Sequence, residues 1–291
     1  MKVLVTGAGG FAGGYVARRL AELGADVVAV TRSSVIVLPD DPAAAARIQV
    51  LHADLSMPGV VLPATDVIVH AAATSIWDDI SVDQMISDNV ASMQVLVRHA
   101  RACGARKFVF FSSFSAFGDI AADVVDEHTN SLNADAYGLT KLLGEEMLAD
   151  VQDDIASLSI RLPAVIGPGA KRNWLSECVR KLKAGEPLSY VNPDALFNNA
   201  CHIEDLAILI HRWSIADQSG AQMTVVGAGG KMRVADIVSL LAARIKSASD
   251  ISVGTRELRT FLIDSSHAQR QLGYEPMDIA VMLERFVVEN L

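Results

Sequence analysis

Cysteine is scarce in this chain and poorly spaced for covalent bracing. Of 291 residues only Cys103, Cys178 and Cys201 are cysteine, an odd and scattered set with no CxxC pair. That excludes a disulfide framework and fits a reducing cytoplasm. Positive charge is also short. Lys and Arg total 25 against 34 Asp and Glu, a formal net charge of −9, and nucleic acid is no default partner for such a chain, because phosphate backbones are gripped by clustered cations. No apolar run reaches the ~18 residues of a membrane span. Met1-Lys2 leads straight into Val3 with neither a basic leader nor a cleavage pattern, so the reading is a cytoplasmic protein without a membrane partner. The seven histidines form no HxxxH or HxH pair, and no metal site is expected. Repeats and low-complexity tracts are missing too.

What is present is a globular composition, 51% hydrophobic and 20% charged, sufficient to bury a full core. Short β-branched runs alternate with helical stretches over the first 165 residues, the pattern of βαβ units on a parallel sheet. Strands are expected at Lys2–Thr6, Asp26–Thr31, Gln49–Ala53, Val67–Ala71, Lys107–Ser112 and Ser157–Leu162. Ala12, Val16, Leu20 and Leu23 keep helical spacing, as do Leu139, Leu142, Leu143 and Met147. Gly24 and Gly104 are placed to close helices. The alternation breaks after Gly167-Pro168-Gly169. Beyond it, Cys201–Trp213 reads as strand then helix, and Val234–Ile245 and Ile279–Val288 read as helices. The expected architecture is a doubly wound parallel α/β sheet of Rossmann type over 1–166, with 198–216 returning to it. A smaller substrate-binding region then comprises 167–197 and 217–291.

Strand Val3–Thr6 runs into Gly7-Ala8-Gly9-Gly10-Phe11-Ala12-Gly13-Gly14 and then a helix. Glycines in that context permit a tight turn, admit a pyrophosphate to the backbone N–H groups and bring helix close to sheet. The helix N-terminus adds partial positive charge. The spacing reads either as Gly7-x-Gly9-x-x-Ala12 or as Gly7-x-x-Gly10-x-x-Gly13, and Phe11 lies inside both. A NAD site places an acidic residue after the second strand to bind the ribose 2′-hydroxyl. Here the residues are Thr31-Arg32-Ser33-Ser34, and a guanidinium flanked by hydroxyls suits a 2′-phosphate, so NADP is favoured over NAD. A surface role for Arg32 at the strand end is the alternative. Asp54-Leu55 follows the third strand and is placed to reach the adenine.

Tyr137 and Lys141 stand four apart on one helix face. A free phenol has a pKa near 10, and a neighbouring ammonium is expected to lower it toward a value useful for proton transfer. By itself YxxxK is a weak motif. The segment Ser112-Ser113-Phe114-Ser115 lies at the end of the fifth strand, about twenty-four residues earlier, where ligands of parallel sheets bind. Ser113 is placed to hydrogen-bond a substrate oxygen there.

With these residues in view the chain resembles the extended short-chain dehydrogenase/reductase superfamily, in its NAD-dependent epimerase/dehydratase branch. The likeness runs through Thr6-Gly7-x-x-Gly10-x-x-Gly13, His70-Ala71-Ala72-Ala73, Asn89, Ser113, the Tyr137/Lys141 pair and Gly167-Pro168. It continues through His202-Ile203-Glu204-Asp205-Leu206 and Leu272-Gly273-Tyr274-Glu275-Pro276. It implies that Tyr137 is the acid/base, that Lys141 holds the nicotinamide ribose and that Ser113 orients the carbonyl. It also implies that Ala71 to Ala73 lie beside the adenine ribose, that Asn89 and Ser112 border the cofactor, and that Pro163 to Val165 lie beside the nicotinamide carboxamide. A homodimer is usual in such a family.

The chain also departs from that pattern. Family dehydratases carry Asp-Glu after the Ser/Thr, whereas Phe114-Ser115 stand here, which argues against dehydration. Ala164 and Asn198 replace an Asn and an Arg that bind substrate diphosphate in many nucleotide-sugar epimerases. The activity implied is a nucleotide-sugar 4-epimerase or 4-ketoreductase acting on a small-molecule substrate. The alternatives are an NADP-dependent reductase of a non-sugar carbonyl, resembling dihydroflavonol reductases, or a non-catalytic cofactor-binding sensor.

Overall fold

The structure is a computed structural model that describes all of residues 1–291 except Ser33, Ser34, Pro58, Ile76 and Trp77. The chain divides into two compact units. One comprises Met1–Ile120, Asn130–Leu162 and Ala207–Thr224, and the other Ala121–Thr129, Pro163–Leu206 and Val225–Leu291.

The first unit is built on seven strands: β1 (Lys2–Thr6), β2 (Asp26–Thr31), β3 (Ile48–His52), β4 (Val67–His70), β5 (Lys107–Ser113), β6 (Ala156–Leu162) and β7 (Ala221–Val225). Their order across the sheet is β7-β6-β5-β4-β1-β2-β3, and every pair from β3 to β6 is parallel. The chain moves outward from β1 to β3 and then returns to β1's other side at β4. That reversal opens a crevice at the carboxyl ends of β1 and β4. The glycine loop lies at this point, between β1 and helix α1 (Phe11–Glu22).

Sequence dictates the layers by period two. Leu4, Val28, Ile68, Phe108 and Phe110 face one way and pack on Met93 and Leu96 of helix α2 (Val82–Cys103) and Leu148 of helix α3 (Ala136–Ala149). The alternate residues Val3, Val5, Val27, Ala29, Val67, Val69 and Val109 are also buried. Both sheet faces are therefore covered, as a parallel sheet requires. Each of the Val, Leu, Ile and Phe side chains contributes about 1.5–3 kcal/mol on full burial. Ser81 caps the start of α2, and Gly104 ends it at φ 74. Gly24, at φ 91, follows the last residue of α1's cap. Expected and observed strand ends differ by one residue at most, but β7 was not anticipated. Its Ala-Gln-Met-Thr-Val sequence is an edge strand with too weak an alternation to separate it from a loop.

In the second unit Ala164–Ile166 pairs in parallel with Ala200–His202, Leu188–Tyr190 with Ile251–Val253 and Val124–Val125 with Leu262–Ile263. Helix Trp174–Ala184 buries Leu175, Cys178, Val179 and Leu182, helix Val234–Ile245 buries Ile237, Val238 and Leu241, and helix Ile279–Asn290 buries Met282, Leu283 and Phe286. These three helices pack on one another in series. Helix Ile203–Ile215 begins in this unit and passes into the first at Ala207.

Candidate active site

The glycine loop is built for close approach. Gly7 has φ 69, and a Cβ added there would lie 2.7 Å from the Ala72 nitrogen. A Cβ on Gly13 would lie 2.4 Å from the Gly7 carbonyl oxygen. Only glycine lets β1, the end of β4 and α1 meet this tightly. Gly10 is the N-cap of α1. Among the described residues no side chain caps this helix start and no acidic residue lies in its first turn, which suits a pyrophosphate. Of the two spacings, Gly7-x-x-Gly10-x-x-Gly13 has contacts that demand glycine at its first and last positions. Gly9, Phe11 and Ala12 lie along the same loop and helix start, each half-buried.

At the end of β4, the His70 Nδ1 atom sits 2.7 Å from the Thr6 hydroxyl, which also accepts the Ala72 N–H at 3.1 Å. Burial drives the His70 pKa down to about 3, with Lys141 a lesser cause, so the ring is neutral. It stacks on Phe110 at 5.6 Å between centroids. Phe110 in turn has the Lys141 ammonium 4.8 Å over its face. One contiguous chain of contacts therefore runs from β1 through β4 and β5 to α3. Sequence reading missed Thr6 and His70 as partners, because nothing local tells that β1 and β4 are neighbours.

Lys141 is 4% exposed. Its ammonium donates to the Phe111 carbonyl at 2.8 Å and lies 5.4 Å from the Tyr137 ring centroid. Burial lowers its pKa to about 7, opposed by the charge of Glu145. Tyr137 moves the other way, pushed up to about 12 by burial first and then by Asp135 and Asp78. The expectation that Lys141 lowers the phenol pKa is not met in the chain alone, since burial and the charges of Asp135 and Asp78 all disfavour the phenolate.

Tyr137 stands in the first turn of α3, behind the Asp135 N-cap, whose carboxylate accepts the Gly138 N–H at 2.7 Å. Gly138 is what brings this helix to the Ser113 segment. A Cβ there would lie 2.1 Å from the Ser115 carbonyl oxygen. Ser113 starts the short turn Phe114–Ala116, and its hydroxyl accepts the Ser115 N–H at 3.1 Å. No carboxylate stands at Phe114 or Ser115.

Ser112 is buried, and its hydroxyl donates to Glu145. Glu145 also takes two bonds from Arg161, at 3.0 Å and 2.7 Å, and Arg161 lies 4.3 Å over Phe117. This ion pair ties β6 to α3, and the Ser112 hydroxyl ties the end of β5 to the same carboxylate. No local pattern announces it, since Glu145 lies on α3 and Arg161 on β6. Asn89 donates to the Thr74 carbonyl at 2.9 Å and accepts the Thr74 N–H at 2.8 Å, fixing the loop after Ala71, Ala72 and Ala73.

Arg32 follows β2, and its guanidinium faces the Asp88 carboxylate of α2 at 3.4 Å. Ser33 lies outside the described residues. Asp54 accepts the Ser56 N–H and hydroxyl at 2.9 Å and 2.7 Å, and Leu55 beside it is buried. Pro163 and Val165 fall in the second unit, on either side of Ala164. There Asn198 clamps Ile263, donating to its carbonyl and accepting its N–H, each at 2.8 Å. His202, fully buried, bonds Glu289 at 2.9 Å, and Trp174 packs on Phe197 at 5.6 Å.

A parallel sheet with its topological switch at a glycine loop, and a Ser, Tyr and Lys set on the neighbouring β5 and α3, defines a Rossmann-type oxidoreductase. The model of the NAD dependent epimerase/dehydratase family matches residues 3–229, and the chain belongs to that family of enzymes. It is 30% identical over 209 residues to D-erythronate dehydrogenase of Cupriavidus necator, a match covering 66% of this chain and 63% of that enzyme. The chain thus spans less than two thirds of that relative. It is 24% identical to dTDP-4-dehydro-6-deoxy-D-allose reductase of a Streptomyces species, covering 97% of this chain and 94% of the reductase. In fold it is similar to MoeE5 solved with UDP-glucuronic acid and NAD, with a TM-score of 0.84 and 24% identity over 99% of this chain and 98% of that one. UDP-glucuronic acid 4-epimerase from Bacillus cereus, solved with NAD, gives a TM-score of 0.83 at 20% identity, again over 99% and 98%.

Proposed function

We propose that this enzyme moves a hydride between a nicotinamide dinucleotide and a carbinol carbon of a sugar, as a nucleotide-sugar 4-epimerase or 4-ketoreductase. The observation that carries the reading is the Gly138 contact, which packs the Tyr137 turn of α3 on the turn that Ser113 begins. A bound dinucleotide supplies the hydride donor or acceptor. Gly7 to Gly13 would hold its pyrophosphate, with Asp54, Leu55 and Ala71 to Ala73 toward the adenosine and Lys141, Pro163 and Val165 toward the nicotinamide.

The chain's own residues handle the oxygen and its proton. Ser113 would hydrogen-bond the carbonyl, and Tyr137 would exchange the proton with it. With its pKa raised to about 12, Tyr137 stands as a neutral phenol at neutral pH, the form that protonates a ketone oxygen during reduction. Phe114 and Ser115 carry no carboxylate to expel a hydroxyl, so dehydration is outside this reading. The region 167–197 and 225–291 would bind the rest of the substrate, and the working form would be a cytoplasmic homodimer.

The reading is tested with purified protein, NAD(H) and NADP(H), and UDP- and dTDP-linked sugars and 4-keto sugars. Tyr137→Phe should cut kcat by about 10²- to 10⁴-fold and leave dinucleotide affinity unchanged. Unchanged turnover in that variant would remove Tyr137 from the chemistry. A second reading, NADP-dependent reduction of a carbonyl compound without a nucleotide, draws support from Asn198, whose amide is committed to Ile263, and from the sugar-acid relative. It predicts no binding of UDP or dTDP alone by calorimetry and a dinucleotide that leaves during purification.

A further inference from the structure

The Asp88 carboxylate is buried beside an exposed arginine. Its side chain is 11% exposed and that of Arg32 is 59%. It is also held without Arg32. Gln84, one turn earlier on α2, donates to one oxygen at 2.6 Å, and the Thr74 hydroxyl donates to the other at 3.2 Å, the same oxygen that faces Arg32 at 3.4 Å. The adjacent Asn89 pins Thr74 through both its N–H and its carbonyl. The exposed guanidinium is free to turn toward a ligand, whereas the buried carboxylate is held by the exposed Gln84 amide and the buried Thr74 hydroxyl.

A dinucleotide in a sheet of this order puts its adenosine ribose at the end of β2, where Arg32 stands. A ribose 2′-phosphate placed there would have to draw Arg32 off Asp88 and would then lie near an uncompensated carboxylate. On the other side is Asp54 at the end of β3. Its carboxyl is held below the usual range chiefly by Ser56 and, more weakly, by the charge of Arg32. One guanidinium thus acts on two carboxylates, which reduces the positive charge it can offer a dianion. A ribose carrying only hydroxyls meets no such penalty.

We infer that Asp88, reaching across from α2, selects NAD(H) over NADP(H) by occupying Arg32 and keeping a negative charge beside its guanidinium. This rests on the dinucleotide reading of the site and reverses the preference that Thr31-Arg32-Ser33-Ser34 suggests in sequence. Asp88 acts here as a specificity determinant, supplied from a helix where a NAD site ordinarily uses the end of β2.

Calorimetric titration of the full chain with NAD⁺ and NADP⁺ tests it. The native protein should bind NAD⁺ at least tenfold more tightly. Asp88→Asn should close the gap by tenfold or more through a gain in NADP⁺ affinity, with NAD⁺ within threefold of its native value. Adding Arg32→Ala to Asp88→Asn should abolish that gain. Gln84→Leu, at an exposed position, should give a smaller shift in the same direction, and it decides the question if Asp88→Asn does not fold. A native preference for NADP⁺, or equal changes in both affinities, would overturn the role of Asp88 while leaving the site a dinucleotide site. If the native chain bound neither nucleotide, the functional reading would fall as well.

Discussion

Lys141 is a buried cation on the same helix as Tyr137. An ammonium removed from water loses hydration that one carbonyl bond at 2.8 Å and a ring face replace only in part, and its pKa falls from 10.5 to about 7. The folded chain then binds fewer protons than the unfolded chain between these values. Stability from this group is complete above 10.5 and is lost as pH falls through 7. Native protein without cofactor should therefore gain about 1.5–2 kcal/mol between roughly pH 7 and pH 8.5 relative to Lys141→Met, read from urea unfolding at each pH. Equal pH dependence in the two proteins would mean that Lys141 is not buried as a free amine. That Tyr137 and Lys141 share a helix face was legible from their spacing, while reading them as a pair also needed Ser113 at the end of the fifth strand. The sign of the phenol's shift was not, since it depends on how deeply the fold buries Tyr137 and on the charge of Asp78, which the fold brings near.

Among the elements, α3 is set by its glycines. Gly138 lies in ordinary helix, and the reason for glycine there is steric, with the Ser115 carbonyl 2.1 Å from where a Cβ would be. Gly104 is the opposite case, at φ 74 with nothing within 4 Å. Gly138→Ala should cost about 1–3 kcal/mol through overpacking and lower kcat as well, because it parts Tyr137's helix from Ser113's turn. Gly104→Ala should cost about 1–2 kcal/mol from left-handed backbone strain alone and leave kcat unchanged. Urea midpoints and turnover of the two variants separate these cases, and an unaffected kcat in Gly138→Ala would contradict the assigned contact. Gly104 was readable as a helix stop in the sequence. Gly138 was not, because the atom it avoids belongs to a segment about twenty residues away.

At the scale of the whole molecule, the first unit carries the glycine loop, Asn89, Ser113, Tyr137 and Lys141 together. A dinucleotide that binds only folded protein should stabilise it by about 2.7 kcal/mol at 100 times Kd. Amide hydrogen exchange should show the added protection concentrated at residues 7–14, 71–74 and 113–117. Protection confined to the helices Trp174–Ala184 and Val234–Ile245 would place the ligand elsewhere and undo the site assignment. The net charge of −9 gives no general attraction for an anionic nucleotide, so affinity must come from local N–H groups and helix ends.

Strand and helix identity in the first unit, the phosphate loop and the YxxxK pair follow from the sequence by itself, because periodicity, glycine placement and helical spacing are local properties of the chain. The edge strand β7, the Thr6–His70–Phe110–Lys141 contacts, the Glu145–Arg161 ion pair and the Asn198 clamp were decided only by tertiary structure. Each joins residues far apart in the chain through hydrogen bonds or burial that no local pattern encodes. Arg32 shows the division most directly. Its position after β2 is written in the sequence, and what its charge is used for was decided by Asp88, 56 residues away on α2.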